Sequence, residues 1–430
     1  MEYFIYSFIF YMSNAKFDPN KSITYYYKIE SVTMILPNNN KVTIEPTKVE
    51  SFALIKDFTN NYLPIFRLST LLSSYQVYNI IDNKDTVRFH IRISEYKYDY
   101  ERNVLKKQSL IDDLFCTIIE EETPNLDKKI IENAKNSSEA IGTETLNDFG
   151  SYMELYLFRE SDLNTIKNVN NVVISNSNML TVCTYLLSSA GVKKMLMSPL
   201  HNNNYYSQIL VPPYTLVGAL RFLEQNYGFY NTYSTIFFDY DTGYMISHRM
   251  PCNTYRRGEV KTLSLYIGAD DSSQTFYSGL IEKSSNDILI NITKNAASFT
   301  NSSLTKDQIQ GTDVVTIDQS TGSINRNTSK SKNVGNKGIQ VLVNKYNNPF
   351  MVSAEAYRTN ESSISLTCNI KMCSVNYFTP NKEYNVILED SEANKMYKGL
   401  YRLTYATHTF TRKGEEFEVS TVANFSRYTN

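Results

Sequence analysis

The 430-residue chain carries 43 lysines and arginines against 44 aspartates and glutamates, a net charge of −1, so it has no general electrostatic pull on nucleic acid. Its 15 glycines and 11 prolines are too few for collagen-like or linker architectures, and its length suffices for two to four domains. The 34 tyrosines and 22 phenylalanines, with no tryptophan, suit strands and protein contacts, although AT-rich codon usage would also raise tyrosine and asparagine.

The chain opens on MEYFIYSFIFYM, which lacks a basic leader, carries Glu2 and is too short to cross a bilayer. A docking strand or peripheral arm is expected there. Residues 23–100 read as all-β. Ile23–Leu36 is a strand and Pro37–Asn40 a turn. Val42–Phe58 resumes with a break at Pro46, and Pro64–Leu72 follows. A short helix is predicted around Tyr75–Ile81. Val87, Phe89, Ile91 and Ile93 alternate with Arg88, His90, Arg92 and Ser94, the pattern of a half-buried strand.

Residues 101–170 read as a mixed peripheral insert. Strands are predicted at Leu110–Ile119 and Tyr152–Phe158, around a polar connector that holds Glu120, Glu121 and Glu122. Asn178–Ala190 reads as a helix capped by Ser177 or Asn178 and stopped at Gly191. Within 171–265 the segment from Val211 to His248 spells out a unit. A helix is expected to start at Pro212-Pro213 and to carry the stripe Leu216, Leu220, Leu223 and Tyr227 to a stop at Gly228. Then come strand Thr235–Tyr240, a turn at Asp241-Thr242-Gly243 and strand Tyr244–Arg249.

Residues 266–338 are polar and loop-rich, with a few short strands expected between Ala296 and Gly338. Residues 339–430 return to dense strand patterning. It ends in a hairpin from Tyr397 to Phe425 that turns at Arg412-Lys413-Gly414.

Chemistry-bearing motifs are sparse. Asp241-Thr242-Gly243 matches the aspartic protease loop, but that mechanism needs two such carboxylates and no second loop is present. The histidines His90, His201, His248 and His408 show no metal spacing, and His408 reads as a structural mid-strand residue. The Glu120–Glu122 run reads as solvated, and Asp270-Asp271 as a turn. Arg256-Arg257 and Lys330-Ser331-Lys332 are too small for a nucleic-acid footprint. Cys116, Cys183, Cys252, Cys368 and Cys373 fit no zinc or redox pattern and are expected to be buried free thiols, which suits synthesis in a cytoplasm. No catalytic, cofactor or metal residue is assigned, and no enzyme activity, cofactor or stable membrane insertion is expected.

Two blocks carry a family resemblance. Leu223–Asn231, LEQNYGFYN, ends a helix on the step Tyr227-Gly228-Phe229 and enters a hairpin. Gly399–Phe425, GLYRLTYATHTFTRKGEEFEVSTVANF, places Gly399, Tyr401 and His408 on a strand before a turn and a last strand. FTNNYLPIFRLSTLL, Phe58–Leu72, is similar to an early barrel strand. Together they resemble the baseplate central hub proteins of contractile-tailed bacteriophages, the group that includes late control protein D and the N-terminal half of VgrG.

The resemblance implies a mainly β fold with α+β insertions. Two tube-type β-barrel domains are expected, one from residues 1–100 and one largely from 339–430, with smaller peripheral α/β domains between them. It implies a homotrimer in the virion tail baseplate that joins the sixfold tail tube to the threefold central spike. The tail tube protein, the spike, the tape measure protein and the baseplate wedge proteins would be its partners, with DNA passing through the channel unread. A receptor-binding tail-fibre adhesin and a tail-associated cell-wall hydrolase are the alternatives. The first would call for glycine-rich or fibre repeats and the second for a paired acid and base.

Overall fold

The computed structural model describes residues 23–99, 104–117, 150–231, 234–247, 262–268, 280–282, 287–301, 312–318, 324–327, 338–344, 350, 362–380, 382–388 and 392–429. The expected N-terminal arm, Glu120–Glu122, His248, Cys252, Arg256-Arg257, Asp270-Asp271 and Lys330–Lys332 lie outside the described residues.

Alternation of apolar and polar residues builds the first wall. Strands β1 (Ile23–Ile35), β2 (Lys41–Ile44), β3 (Val49–Asp57) and β4 (Ile65–Ser73) come first. In β4, Phe66, Leu68, Thr70 and Leu72 are buried while the residues between them are partly exposed, because successive side chains leave a strand on opposite faces. Pro46, which has no backbone donor, marks a single 3-10 turn between β2 and β3. Helix α1 (Ser74–Asp82) starts on a capping box: the Ser73 side chain accepts from the Gln76 amide, and the Gln76 side chain accepts from the Ser73 amide. Three long strands complete the wall, β5 (Arg88–Asp99), β6 (Val104–Thr117) and β7 (Gly150–Arg159).

A lobe follows, made of α2 (Glu160–Lys167), β8 (Val169–Asn178), α3 (Met179–Ser189), β9 (Lys194–Met197), β10 (Tyr205–Thr215), α4 (Leu216–Asn226), β11 (Ser234–Asp239) and β12 (Thr242–Ser247). It has its own core, in which Val182, Leu186, Leu216, Leu220, Leu223 and Phe229 are fully buried. The remaining strands are β13 (Thr262–Gly268), β14 (Leu280–Glu282), β15 (Asp287–Thr293), β16 (Ala297–Asn301), β17 (Thr312–Asp318), β18 (Ile324–Asn327), β19 (Gly338–Asn344), β20 (Ser362–Lys371), β21 (Glu383–Leu388), β22 (Gly399–Lys413) and β23 (Glu416–Thr429). The fold is mainly β with few helices, as expected.

Eight strands close on themselves in the order β22-β3-β4-β7-β6-β5-β1-β23, with β23 pairing back to β22. The interior is filled with rings rather than open. Phe52 stacks on Phe410 at 4.1 Å between centroids and meets Phe417 edge-on at 5.1 Å, and Tyr27 meets Phe410 edge-on at 4.7 Å. Such pairs contribute about 0.5–1.5 kcal/mol each beyond the area they bury.

The strand pairing differs from a division into one barrel per terminus. β22 pairs with β21 through Gly399–Arg402 and with β3 through Tyr405–Thr411. β23 pairs with β1 at Phe417 and Glu418 and with β20 from Ser420 to Thr429. The C-terminal hairpin therefore serves both the closed barrel and a second array, β13-β21-β22-β23-β20-β16. Its strands of 15 and 14 residues reach about 45 Å, more than twice a common strand, which is long enough for both. β6 and β7, expected in a peripheral insert, are staves of the barrel, because Ile111 and Phe115 of β6 and Met153, Leu155 and Leu157 of β7 are buried in its core.

Two local expectations are corrected. Pro212 and Pro213 do not start a helix. They sit in β10 where its register with β8 slips between Val211 and Tyr214, a bulge that asks for no ladder donor. The helix starts at Leu216, capped by the Thr215 side chain, which accepts from the Gly218 amide. The hairpin turn is not Asp241-Thr242-Gly243 either. Asp239 pairs with Thr242, so the turn is Tyr240-Asp241, both at positive φ (49° and 57°), which is the two-residue turn whose twist matches the strands.

Candidate functional site

Among the described residues, buried charge gathers at one end of the barrel, where the lobe meets it. Each strand there brings a charged residue in phase with its core positions. On β3, Lys56 follows Phe52 and Leu54. On β7, Arg159 follows Met153, Leu155 and Leu157. On β6, Asp113 lies between Ile111 and Phe115. The period of two therefore turns all three side chains toward the barrel interior at its mouth.

The lobe supplies two counter-charges, Asp162 and Asp239, beside Asp113 of the barrel. Lys56 Nζ donates to Asp239 Oδ2 at 2.5 Å. Arg159 donates through Nη1 to Asp162 at 2.6 Å and through Nε to Asp113 at 3.1 Å, and its Nη1 lies 3.5 Å from Asp239. The side chains of Lys56, Arg159, Asp162 and Asp239 are each under a tenth exposed. The Arg159 guanidinium sits 3.2 Å from the Tyr240 ring centroid, and the Tyr240 hydroxyl donates to the Leu110 carbonyl at 2.9 Å. That grip holds a tyrosine at positive φ, where a bulky residue is uncommon. Burial and the neighbouring Asp239 and Asp113 outweigh Arg159 at Asp162, whose carboxyl is pushed up to about 6. Beneath the charges, Phe58 of the barrel and Phe237 of the hairpin meet edge-on at 4.7 Å. The arrangement is suited to holding two parts of the molecule in one orientation.

The sequence candidates fall elsewhere and are not brought together. Asp241 is a turn residue that accepts from Lys193 Nζ at 2.8 Å, and Thr242 and Gly243 belong to β12. His90 lies 2.8 Å from Asp112 on the partly exposed face of β5 and β6. His201 Nδ1 accepts from the Asn231 amide at 3.0 Å, and burial lowers its pKa. His408 is fully buried on β22, shares a 2.9 Å hydrogen bond with Thr421 Oγ1, and is held well below the usual histidine range by burial and by Lys56. Cys116, Cys183, Cys368 and Cys373 are free and buried. Among the described residues no group of three or more His, Cys, Asp or Glu is placed to hold a metal, and no helix is long and apolar enough to cross a membrane.

The residues of the two resembling blocks have defined structural places. Gly228 takes φ 76° and its amide donates to the Leu223 carbonyl, ending α4. The buried Asn202 side chain donates to the carbonyls of Tyr227 and Gly228 at 2.8 and 2.9 Å, fixing the chain as Phe229 enters the lobe core. Gly399 takes φ 133° beside Arg427, which lies over the Tyr401 ring and donates to the carbonyls of Lys398 and Met396. Tyr401 is buried, and its hydroxyl donates to the Tyr397 carbonyl at 2.8 Å.

Sequence reasoning missed Lys56, Asp113, Arg159, Asp162 and Asp239. For the four strand residues a signal was present, a charged residue at a core-phase position of an otherwise alternating strand, and Asp162 follows Arg159 at i,i+3.

Comparison with known proteins bears on the whole chain. No curated protein matches the sequence. Among solved structures the chain is similar to a tail protein from Neisseria meningitidis MC58, at TM-score 0.48 and 8% identity over 93% of this chain and 96% of that one. It is similar to the 43 kDa tail protein of prophage MuSo2 from Shewanella oneidensis, at TM-score 0.46 and 8% identity over 92% and 97%. It is also similar to the prophage tail protein gp18 from Listeria monocytogenes EGD-e, at TM-score 0.41 and 9% identity over 91% and 94%. The model of the bacteriophage PBS1 gene 109 protein family matches residues 5–425, and the chain belongs to that family.

Proposed function

We propose that this chain is a structural protein of a phage tail and that it acts as the trimeric hub of the baseplate, joining the tail tube to the central spike around the path of the DNA. The observation that carries the reading is the C-terminal hairpin shared by the closed barrel and the second strand array. Three copies of a chain with one closed barrel and one further strand array would present six β units in a ring, which is what an adaptor from sixfold to threefold symmetry requires. Family membership and the aromatic-filled barrel support the same reading.

The outer wall supplies a surface for self-association. Among the described residues β6 and β7 pair at three positions, although they span 14 and 10 residues. Tyr152, 70% exposed, and Tyr156 project outward from β7. Exposed strand edges beside apolar side chains are what subunit contacts cover. In this reading the closed barrel, which takes β1, β3 to β7 and the two hairpin strands, is one unit, and the array from β13 to β23 supplies the other. The tube protein, spike, tape measure protein and wedge proteins are its partners, and the virion baseplate its place.

Mass measurement of the purified full-length chain, together with electron microscopy of intact virions, tests the proposal. Three copies on the tail axis are expected, and Tyr152→Asp is expected to weaken the trimer by tenfold or more without unfolding the chain. A monomer at micromolar concentration, or six or more copies at the tail periphery, would overturn it.

A further inference from the structure

The barrel mouth is not balanced in charge. Among the described residues three carboxylates, Asp113, Asp162 and Asp239, share two cations, Lys56 and Arg159. With all five ionised the cluster carries one excess negative charge. Asp162 and Asp239 are nearly sealed from water, so solvent and salt screen that charge poorly. A proton is the least costly relief, because it turns one carboxylate into a neutral hydrogen-bond donor among acceptors.

The cluster also spans two bodies. Lys56, Asp113 and Arg159 belong to the barrel, whereas Asp162 and Asp239 come from α2 and β11 of the lobe. We propose that the lobe's grip on the barrel mouth is set by one proton shared within this cluster, tight when the proton is bound and loosened when it is lost. The direction follows from burial: Asp162 and Asp239 are sealed from water only while the lobe is seated. The excess carboxylate charge is therefore held without solvent in the closed contact and would be hydrated in a separated lobe, so ionisation favours separation.

The surrounding groups do not cancel this. On α2 itself, Glu160 is taken by Arg88 at 2.7 Å, and Lys167 lies at the helix's far end. From β6, the Cys116 thiol is pushed up by burial and stays uncharged. From α4, Arg221 donates to the Tyr62 hydroxyl, and Glu224 accepts from Ser234. Tyr240 stays a neutral phenol, raised by burial, and His408 on β22 stays a neutral imidazole.

The test is hydrogen exchange of the β11–β12 amides in the full-length protein between about pH 5 and about pH 8, corrected for intrinsic rates. Protection is expected to be higher at the acid end by about tenfold or more. In Asp162→Asn, and independently in Asp113→Asn, which keeps the proposal testable if the first variant fails to fold, the dependence should vanish with protection held at the acid level. Asp241→Asn removes an exposed turn carboxylate outside the cluster and should keep the wild-type profile. Protection that does not change with pH, an unchanged profile in the variants that fold, or a profile altered by Asp241→Asn would overturn the proposal.

Discussion

Closure of the barrel by strands from opposite ends of the chain can be measured through one pair of rings. Phe52 on β3 and Phe410 on β22 are 358 positions apart and stack at 4.1 Å with planes 13° apart, both almost fully buried. Truncating either ring to Leu removes a few buried carbons and is expected to cost about 1–2 kcal/mol. If the rings are in contact, Phe52→Leu and Phe410→Leu together should not cost the sum. The second truncation loses nothing from a stack already gone, so a coupling of about 0.5–1.5 kcal/mol is expected. Denaturant unfolding of wild type, both single variants and the double variant at one pH supplies the cycle. Additivity within about 0.3 kcal/mol would mean that the rings are not neighbours and that β22 does not close the barrel against β3.

Three further outcomes follow from the same packing. Arg159→Met leaves three carboxylates with only Lys56 and should destabilise the fold by about 3–5 kcal/mol in the same denaturation assay, with the lobe losing protection first. His408 has a folded pKa below its unfolded value, so its contribution is fully present above about pH 6.5 and lost as pH falls below that, at up to about 1.4 kcal/mol per unit. His408→Gln should flatten that slope in a pH series of unfolding curves, a slope opposite in sign to the one expected from Asp162. Gly399→Ala would force φ 133° on a residue with a Cβ and set that Cβ 2.5 Å from Arg427 Nη1. A loss of about 1–3 kcal/mol in chemical denaturation is expected, and a neutral result would show that Arg427 moves freely.

Much of the architecture is written in local pattern. Phe89, Ile91 and Ile93 alternate as a half-buried strand should, and all three are core residues. Asn178 caps α3 and Gly191 takes φ 88° after it, because an N-cap side chain and a left-handed stop act over a single turn. Expectation failed where a distant contact overrode the local preference. Pro212-Pro213 looks like a helix start until β8 lies beside it and turns the pair into a bulge. A turn at Tyr240-Asp241 is not foreseeable from a tyrosine, which reaches positive φ here with Arg159 and Leu110 holding its ring and hydroxyl. The charged junction gathers residues from Lys56 to Asp239, and apart from Arg159 and Asp162 at i,i+3 no spacing rule links them. The strand phase betrays Lys56, Asp113, Arg159 and Asp239 singly, but only the closed barrel makes them a set with Asp162.

The shared hairpin also governs when this protein can become itself. During synthesis from the N-terminus, β1 to β7 emerge with the facing edges of β1 and β3 open, and the strands that cover them, from Gly399 onward, follow only after residues 160–398. Closing a contact over more than 350 residues is slow and exposes strand edges meanwhile. A nascent chain stalled before residue 399, or one cut there by a protease, would therefore hold an unclosed sheet. Such a sheet presents no closed barrel, so the fold itself registers whether β22 and β23 have been made.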